Sequence, residues 1–127
     1  MRAVDTNVLV RLITRDDPVQ VRSADNFVAS GAWVSQLVLT EAARVLDAVY
    51  ERTAEQIALA LDRLLSHEKL SVQDAEVVLA AVGQFRSRPA LGFSDCLALE
   101  IARKAGHLPL GTFDRDLARL DGTQRLR

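Results

Sequence analysis

Short apolar runs in this chain alternate with longer segments in which apolar residues recur with helical spacing. The apolar runs predict strands at 2–5, 32–35, 70–72 and 108–112. Apolar residues that recur every three or four positions predict helices at 7–14, 18–30, 36–50, 53–66, 74–85 and 94–105, followed by a short helix at 114–120 and an edge strand at 123–126. Strands that alternate with helices predict a parallel sheet with helices on both faces.

The predicted fold class is therefore α/β, with a short and mostly parallel central sheet flanked by helices in a three-layer α/β/α arrangement. No internal repeat, low-complexity tract or linker interrupts the pattern, so we expect a single domain over residues 1–127. Local signals support the helix boundaries. Asp17-Pro18 is typical of an N-cap followed by proline at the first helical position, and Thr53 with Gln56 forms a capping-box pattern.

Composition restricts the class of protein. Hydrophobic residues make up 49% and charged residues 26% of the 127 positions, which is globular composition. The net charge of −1 gives no overall basic field toward nucleic acid or anionic membranes. No apolar run is long enough to span a membrane, and the lone Cys96 has no partner for an internal disulfide. A cytoplasmic location without membrane attachment is the expectation.

Acidic residues fall where such a sheet places its ligands. Ligands of open α/β sheets bind beyond the carboxyl ends of the strands. Asp5 closes the first predicted strand and Asp114 follows the fourth. The sequence therefore predicts that both carboxylates lie in one cleft.

Two further acids join this set through helical spacing. On the helix over 36–50, Glu41 falls inside an apolar stripe formed by Leu37, Val38, Val45, Ala48 and Val49. Asp95 lies in the first turn of its helix, near a stripe formed by Ala98, Ile101, Ala102 and Ala105. Each acid also has a purely structural interpretation. Asp5 and Asp114 suit caps or turns, Asp95 suits the positive end of a helix, and Glu41 suits an ion pair with an arginine.

The shared prediction is a metal site. Two carboxylates repel by roughly 4 kcal/mol at about 4 Å and an effective dielectric constant near 20, so several in one cleft need a counterion. A divalent cation relieves this repulsion for all of them at once. Because only oxygen ligands are on offer, Mg²⁺ or Mn²⁺ fits best.

A family resemblance points the same way. The motifs that carry it are Asp5-Thr6-Asn7-Val8-Leu9, Ser35 with Glu41, Phe93-Ser94-Asp95, Gly106, and Thr112-Phe113-Asp114-Arg115-Asp116. In this order and spacing the chain resembles the PIN domain, and more narrowly the toxin of bacterial VapBC toxin–antitoxin pairs. It departs from close relatives at Ala42-Ala43-Arg44, where a bulkier segment is expected.

The resemblance implies an endoribonuclease that depends on Mg²⁺ or Mn²⁺ and hydrolyses RNA phosphodiester bonds. The family's acidic pocket falls on Asp5, Glu41, Asp95 and Asp114. Among these, Asp5, Asp95 and Asp114 are the expected metal ligands for one or two ions, and Glu41, as a buried acid with a raised pKa, would orient or deprotonate the attacking water. Auxiliary polar roles fall on Asn7, Thr112 and Asp116.

The resemblance also implies partners. One is a VapB-like antitoxin whose disordered tail folds over the cleft, and another is an RNA substrate such as tRNA or rRNA. The third is a second copy of the chain, in a homodimer formed through apolar helix faces between Asp17 and Ser66. Candidate arginines for holding the RNA backbone are Arg11, Arg15, Arg86, Arg88 and Arg115. Phe93 suits either base stacking or, more simply, core packing.

Two other classes of function remain open from the residues alone. One is another Mg²⁺-dependent phosphohydrolase or receiver-like domain with an acidic pocket, although Lys69 and Lys104 are poorly placed for its phosphate-binding lysine. The other is a PIN-like module that binds a protein partner without catalysis. An aspartyl-phosphate at Asp5 would favour the first, and cleavage unaffected by Asp5→Asn would favour the second.

Overall fold

The computed structural model describes all 127 residues and contains six α-helices and five short strands. The strands are β1 (Arg2–Ala3), β2 (Ala32–Val34), β3 (Leu70–Val72), β4 (Leu110–Thr112) and β5 (Thr123–Arg125). The helices are α1 (Thr6–Thr14), α2 (Pro18–Val28), α3 (Gln36–Ala48), α4 (Ala54–Ser66), α5 (Ala75–Ser87) and α6 (Phe93–Ala105). The chain divides into two compact units, Met1–Ala75 and Glu76–Arg127, and each is described by itself. That the chain forms one domain stays a prediction.

The first unit is built on a parallel sheet of three strands in the order β1-β2-β3. In its register Arg2 lies opposite Ala32, and Trp33 lies opposite Ser71. Helix α3 packs against α1 and α4, and α1 packs against α2. The largest fully buried side chains of this unit are Leu9, Val34, Leu39, Leu46 and Leu61.

The predicted helix starts of the first unit are confirmed by their caps. The Asp17 carboxylate accepts hydrogen bonds from the backbone N–H groups of Val19 and Gln20, both at 3.1 Å, with Pro18 at the first helical position. Thr53 and Gln56 form both hydrogen bonds of the capping box. These bonds satisfy amide groups that a helix N-terminus otherwise leaves without partners.

A polar network joins the end of α1 to the end of α3. The Arg11 guanidinium donates to the Tyr50 hydroxyl at 2.8 Å and to the Asp16 carboxylate at 3.1 Å. The Asp16 carboxylate also accepts hydrogen bonds from Thr14 and Tyr50. Arg11 and Asp16 are thus held by the fold, and the network lowers the pKa of Asp16 chiefly through the Thr14 hydroxyl.

The second unit contains α5, α6 and the parallel pair β4-β5. Phe85 and Phe93 pack edge to face inside it, with ring centroids 6.3 Å apart. Phe93 is 4% exposed, which confirms its interpretation as a core residue. The Arg103 side chain donates to Glu100 and to the carbonyl oxygen of Asp121, which fastens α6 to the turn before β5.

Several predicted boundaries differ from the structure. Strand β1 ends at Ala3, α3 ends at Ala48, and β4 begins at Leu110 because Pro109 has no N–H to donate to a neighbouring strand. Helix α5 continues to Ser87, two residues beyond its predicted end. The predicted helix over 114–120 is a single 3-10 turn, Leu117–Arg119.

The predicted apolar stripes of α3 and α6 are wrong. The buried face of α3 is formed by Leu39, Ala42, Ala43 and Leu46, whereas Leu37 is 74% exposed. The buried residues of α6 are Phe93, Cys96, Leu97, Leu99 and Glu100. In α3, the small side chains of Ala42 and Ala43 let the helix pack closely on its neighbours, although the larger apolar side chains of the helix make the opposite face look more hydrophobic.

Candidate active site

Asp95 lies in the first turn of α6, three residues after the N-cap Gly92. Gly92 occupies the N-cap position and supplies no side-chain hydrogen bond, while its carbonyl oxygen accepts from the Asp95 N–H at 3.2 Å. The Asp95 carboxylate is partly buried, and no cation pairs with it. Burial raises the pKa of Asp95, and the negative charge of Asp114 raises it further. This carboxyl group is therefore harder to ionise than an ordinary aspartate.

Asp114 is oriented by the turn that follows β4. Its Oδ1 accepts hydrogen bonds from the N–H groups of Asp116 at 2.8 Å and of Leu117 at 2.9 Å. The Asp114 N–H in turn donates to the Thr112 hydroxyl at 3.0 Å. These bonds match the cap or turn interpretation of Asp114, and they occupy only one oxygen. The second oxygen, Oδ2, has no hydrogen bond within the chain.

Asp5 follows β1 and caps α1. Its carboxylate accepts from the Val8 N–H at 3.2 Å, and its backbone is extended, as an N-cap requires. The side chain is exposed, as is the predicted auxiliary residue Asn7 in the next turn. Asp5 thus has the structural role that the sequence offered as an alternative, and a single hydrogen bond leaves acceptor capacity on its carboxylate.

Glu41 differs from its predicted environment. Its side chain is 43% exposed and pairs with Arg44, one turn later on α3, at 2.8 Å. The Arg44 guanidinium holds the pKa of Glu41 below its usual range, first by hydrogen bonding and then by charge. The expectation of a buried acid with a raised pKa is therefore wrong. The alternative, an ion pair with an arginine, is what the structure contains.

The structure thus brings Asp95 and Asp114 into electrostatic contact within the second unit, while Asp5 and Glu41 in the first unit each have partners of their own. It contains no group of three or more His, Cys, Asp or Glu side chains placed to hold a metal ion. The donor chemistry of Asp95 and Asp114 nonetheless fits a hard divalent cation, since both offer carboxylate oxygens and repel each other. The auxiliary Asp116 is exposed, with its N–H committed to Asp114.

The candidate RNA-binding arginines fall into two groups. Arg11 belongs to the Tyr50 network, and Arg15 forms an ion pair with Asp25 at 2.9 Å. By contrast, Arg88 and Arg115 form no ion pair in the structure and are exposed. Arg86 lies in the last turn of α5 and has interactions of its own.

A cavity of about 310 Å³ lies in the first unit, and none of the predicted acids lines it. Its apolar wall includes Leu12 and Leu59, and its polar wall includes Arg52, Arg63 and His67. The His67 Nδ1 accepts from the Lys69 N–H, which leaves Nε2 as the ring's donor when the imidazole is neutral. Nothing in the apolar spacing of the sequence indicated this cavity, because its lining comes from α1, α2 and α4 together.

The single cysteine, Cys96, is buried in α6. Burial is the main reason why the pKa of its thiol rises to about 11, with contributions from the charges of Asp95 and Glu100. A thiol this weakly acidic stays protonated at neutral pH and is a packing residue rather than a nucleophile.

The α/β fold with parallel strands and carboxylates beyond their ends defines a class of proteins that bind ligands at the carboxyl edge of a sheet. Comparison with protein families identifies the family within this class. The PIN domain model matches residues 2–123, so the chain belongs to the PIN domain family. This match confirms the predicted PIN-like α/β fold class. PIN domains are typically nucleases, and those nucleases generally use divalent metals.

Comparison with curated proteins and comparison with solved structures gave no match. No helix in the structure is both long enough and apolar enough to cross a membrane.

Proposed function

We propose that this chain is a metal-dependent endoribonuclease and the toxin of a type II toxin–antitoxin pair. The observation that carries the nuclease proposal is the pair formed by Asp95 and Asp114. Burial, and after it the charge of Asp114, raises the pKa of Asp95, and no positively charged side chain of the second unit pairs with Asp95. Two such acids, in a family that is typically nucleolytic, support a site that takes its cation from solution.

Asp5, Asp95 and Asp114 are the proposed ligands of Mg²⁺ or Mn²⁺. When bound, such an ion supplies an activated water and compensates the charge on the scissile phosphate. Asp114 is prepared for this role because its Oδ1 is fixed by two backbone N–H groups while Oδ2 remains free. Asp5 likewise keeps acceptor capacity beyond its capping bond.

Glu41 is proposed to orient the attacking water. Its lowered pKa keeps it ionised at neutral pH, so it accepts a hydrogen bond readily but is a weak base. Attack of water on the phosphorus with departure of the ribose 3′ oxygen leaves a 5′-phosphate and a 3′-hydroxyl. Asn7, Thr112 and Asp116 are proposed to support the acids, and Thr112 already bonds the Asp114 backbone.

The proposed partners are an antitoxin, an RNA substrate and a second copy of the chain. An antitoxin tail that carries Arg or Lys would compensate the acids and block access of metal and RNA. Exposed apolar side chains on the helices between residues 17 and 66, or at their ends, support a homodimer, and they are Val19, Leu37, Val49 and Leu59. A strict monomer at micromolar concentration by light scattering would exclude the dimer. Together with an RNA substrate, the single free cysteine, Cys96, supports a location in a reducing cytoplasm.

The decisive experiment is controlled expression in bacteria followed by sequencing of RNA ends. The unsubstituted protein should arrest growth and create discrete new 5′-phosphate ends, and Asp5→Ala should do neither. Asp47→Ala is the matched control, because Asp47 is an exposed acid on α3 outside the proposed site. Equal growth arrest by the unsubstituted and Asp5→Ala proteins would overturn the assignment of Asp5.

A further inference from the structure

Phe113 is the most exposed aromatic residue in the protein. Its side chain is 73% exposed. In the sequence it lies between Thr112 and Asp114, two residues of the candidate site. Other aromatic rings have partners: the Arg2 guanidinium lies 3.8 Å from the centroid of Phe27, and Phe85 packs on Phe93. Phe113 makes no such ring contact.

The backbone on both sides of Phe113 is fixed. Before it, the Thr112 carbonyl oxygen accepts from the Leu126 N–H at 2.7 Å, which closes the β4-β5 pair. After it, the Asp114 N–H bonds the Thr112 hydroxyl, and Asp114 Oδ1 accepts from Leu117. Because the backbone is already held, binding of a flat ligand orders only the two side-chain torsions of Phe113.

The residues that follow Phe113 include one positive charge that is complementary to a phosphate. Asp114 follows it directly and belongs to the acidic pair with Asp95. Arg115 comes next, and it is exposed and free of any ion pair. An aromatic ring with a free guanidinium two residues away offers a stacking surface for a base and a partner for a phosphate.

We propose that Phe113 and Arg115 bind one unpaired nucleotide of the substrate beside the acidic pair, with the base stacked on Phe113 and a phosphate held by Arg115. This inference rests on the proposed nuclease function and adds a specific contact, the stacking of one unpaired base on Phe113. Stacking tolerates every base, because each base has a π face, whereas bases inside a duplex are already stacked.

The test measures binding of a short single-stranded RNA that carries one 2-aminopurine, by anisotropy and by fluorescence quenching. Loss of one stacked base should weaken binding by roughly 5- to 150-fold in Phe113→Ala. Phe113→Trp should retain binding and quenching, while Phe113→Leu, which keeps an apolar side chain without a π face, should resemble Phe113→Ala. Leu79→Ala is the matched control, since Leu79 is an exposed apolar residue on α5 of the same unit.

Arg115 is tested by the salt dependence of the same binding. Removing one phosphate contact in Arg115→Gln should reduce the slope of log affinity against log salt concentration by about 0.7 for a single strand. Arg119→Gln, an exposed arginine of the adjacent 3-10 turn, should leave the slope unchanged.

The outcomes separate this inference from the nuclease proposal. Equal binding by unsubstituted protein, Phe113→Ala and Phe113→Leu, or equal binding of the single strand and its duplex, overturns the inference even where RNA is cleaved. Binding that depends on Phe113 without any RNA cleavage overturns the nuclease proposal and retains the stacking contact. If Phe113 instead contacts a protein partner, its substitution will weaken that complex and leave RNA binding intact, which also overturns the inference.

Discussion

Glu41 and Asp95 are two carboxylates on helices whose environments are opposite. Glu41 lies on the surface of α3 beside Arg44, which lowers its pKa. Asp95 is partly buried at the start of α6, and its pKa is raised by burial and then by the like charge of Asp114. The chain neutralises the first acid with its own arginine but leaves the second uncompensated. Two acids that one family pattern groups together thus differ in their need for an external cation.

The largest expected effect is on RNA cleavage. Asp95→Asn removes a proposed metal ligand and should lower the cleavage rate by more than about 100-fold, beyond the effect typical of residues that only support a ligand. Glu41→Gln changes the group proposed to orient the attacking water but keeps an oxygen that accepts a hydrogen bond, so it should lower the rate by only roughly 10- to 100-fold. Steady-state cleavage of an RNA substrate by both variants measures the difference. A Glu41→Gln defect as large as that of Asp95→Asn would remove the distinction between the two acids.

Metal binding should separate the same variants in thermal unfolding. Mg²⁺ or Mn²⁺ at about 100 times its dissociation constant should stabilise the unsubstituted protein by about 2.7 kcal/mol. Asp95→Asn should lose most of this stabilisation, and Glu41→Gln should keep most of it. Asp47→Asn serves as the control for removal of one negative charge. An undiminished rise in Tm for Asp95→Asn would contradict its role as a ligand.

In the metal-free protein, the ionisation of Asp95 and the ionisation of Glu41 should change the free energy of unfolding with opposite signs. Because the pKa of Asp95 is raised on folding, ionisation of Asp95 destabilises the folded state as pH rises from the ordinary aspartate range through the raised pKa. Because the pKa of Glu41 is lowered, its ionised form stabilises the fold, and this contribution is lost as pH falls through the lowered pKa.

Urea unfolding in the presence of a chelator tests these signs. Relative to the unsubstituted protein, Asp95→Asn should be more stable at neutral pH and Glu41→Gln less stable, and both differences should shrink toward acid pH. Differences of the same sign for both variants would show that the two carboxylates are not in opposite environments.

The smallest expected effects are on the pKa values themselves, measured by carboxyl NMR titration. Arg44→Gln should raise the pKa of Glu41 toward its ordinary value by removing both of the interactions that lower it. Asp114→Asn should lower the pKa of Asp95 without restoring an ordinary value, since burial is the larger cause of the shift. A full return of Asp95 to the ordinary range would assign the shift to Asp114 alone.

Local signals predicted the fold well. The Asp17-Pro18 start and the Thr53–Gln56 capping box are properties of neighbouring residues, so they are readable along the chain. Strand β3 has its predicted bounds, and the order of strands and helices predicted the fold class. In each case the deciding interactions are short-range or repeat with a fixed period.

The sequence did not predict which side of a helix is buried, and the error at Glu41 follows from this. Leu37 and Val49 suggested an apolar stripe, but Ala42 and Ala43 face the core, where small side chains let α3 pack closely. Because the face with Ala42 and Ala43 is the buried one, Glu41 reaches solvent and Arg44 can pair with it. The exposure of a ring such as Phe113 likewise depends on tertiary packing, which no local pattern contains.

The strands of the first unit are very short, and this has a consequence for aggregation. In the order β1-β2-β3 the two outer strands span only two and three residues, so each edge offers few backbone groups to a strand from another molecule. Such edges are poor templates for the growth of intermolecular β-structure. The brevity of this sheet thereby limits the part that the first unit can play in fibre formation.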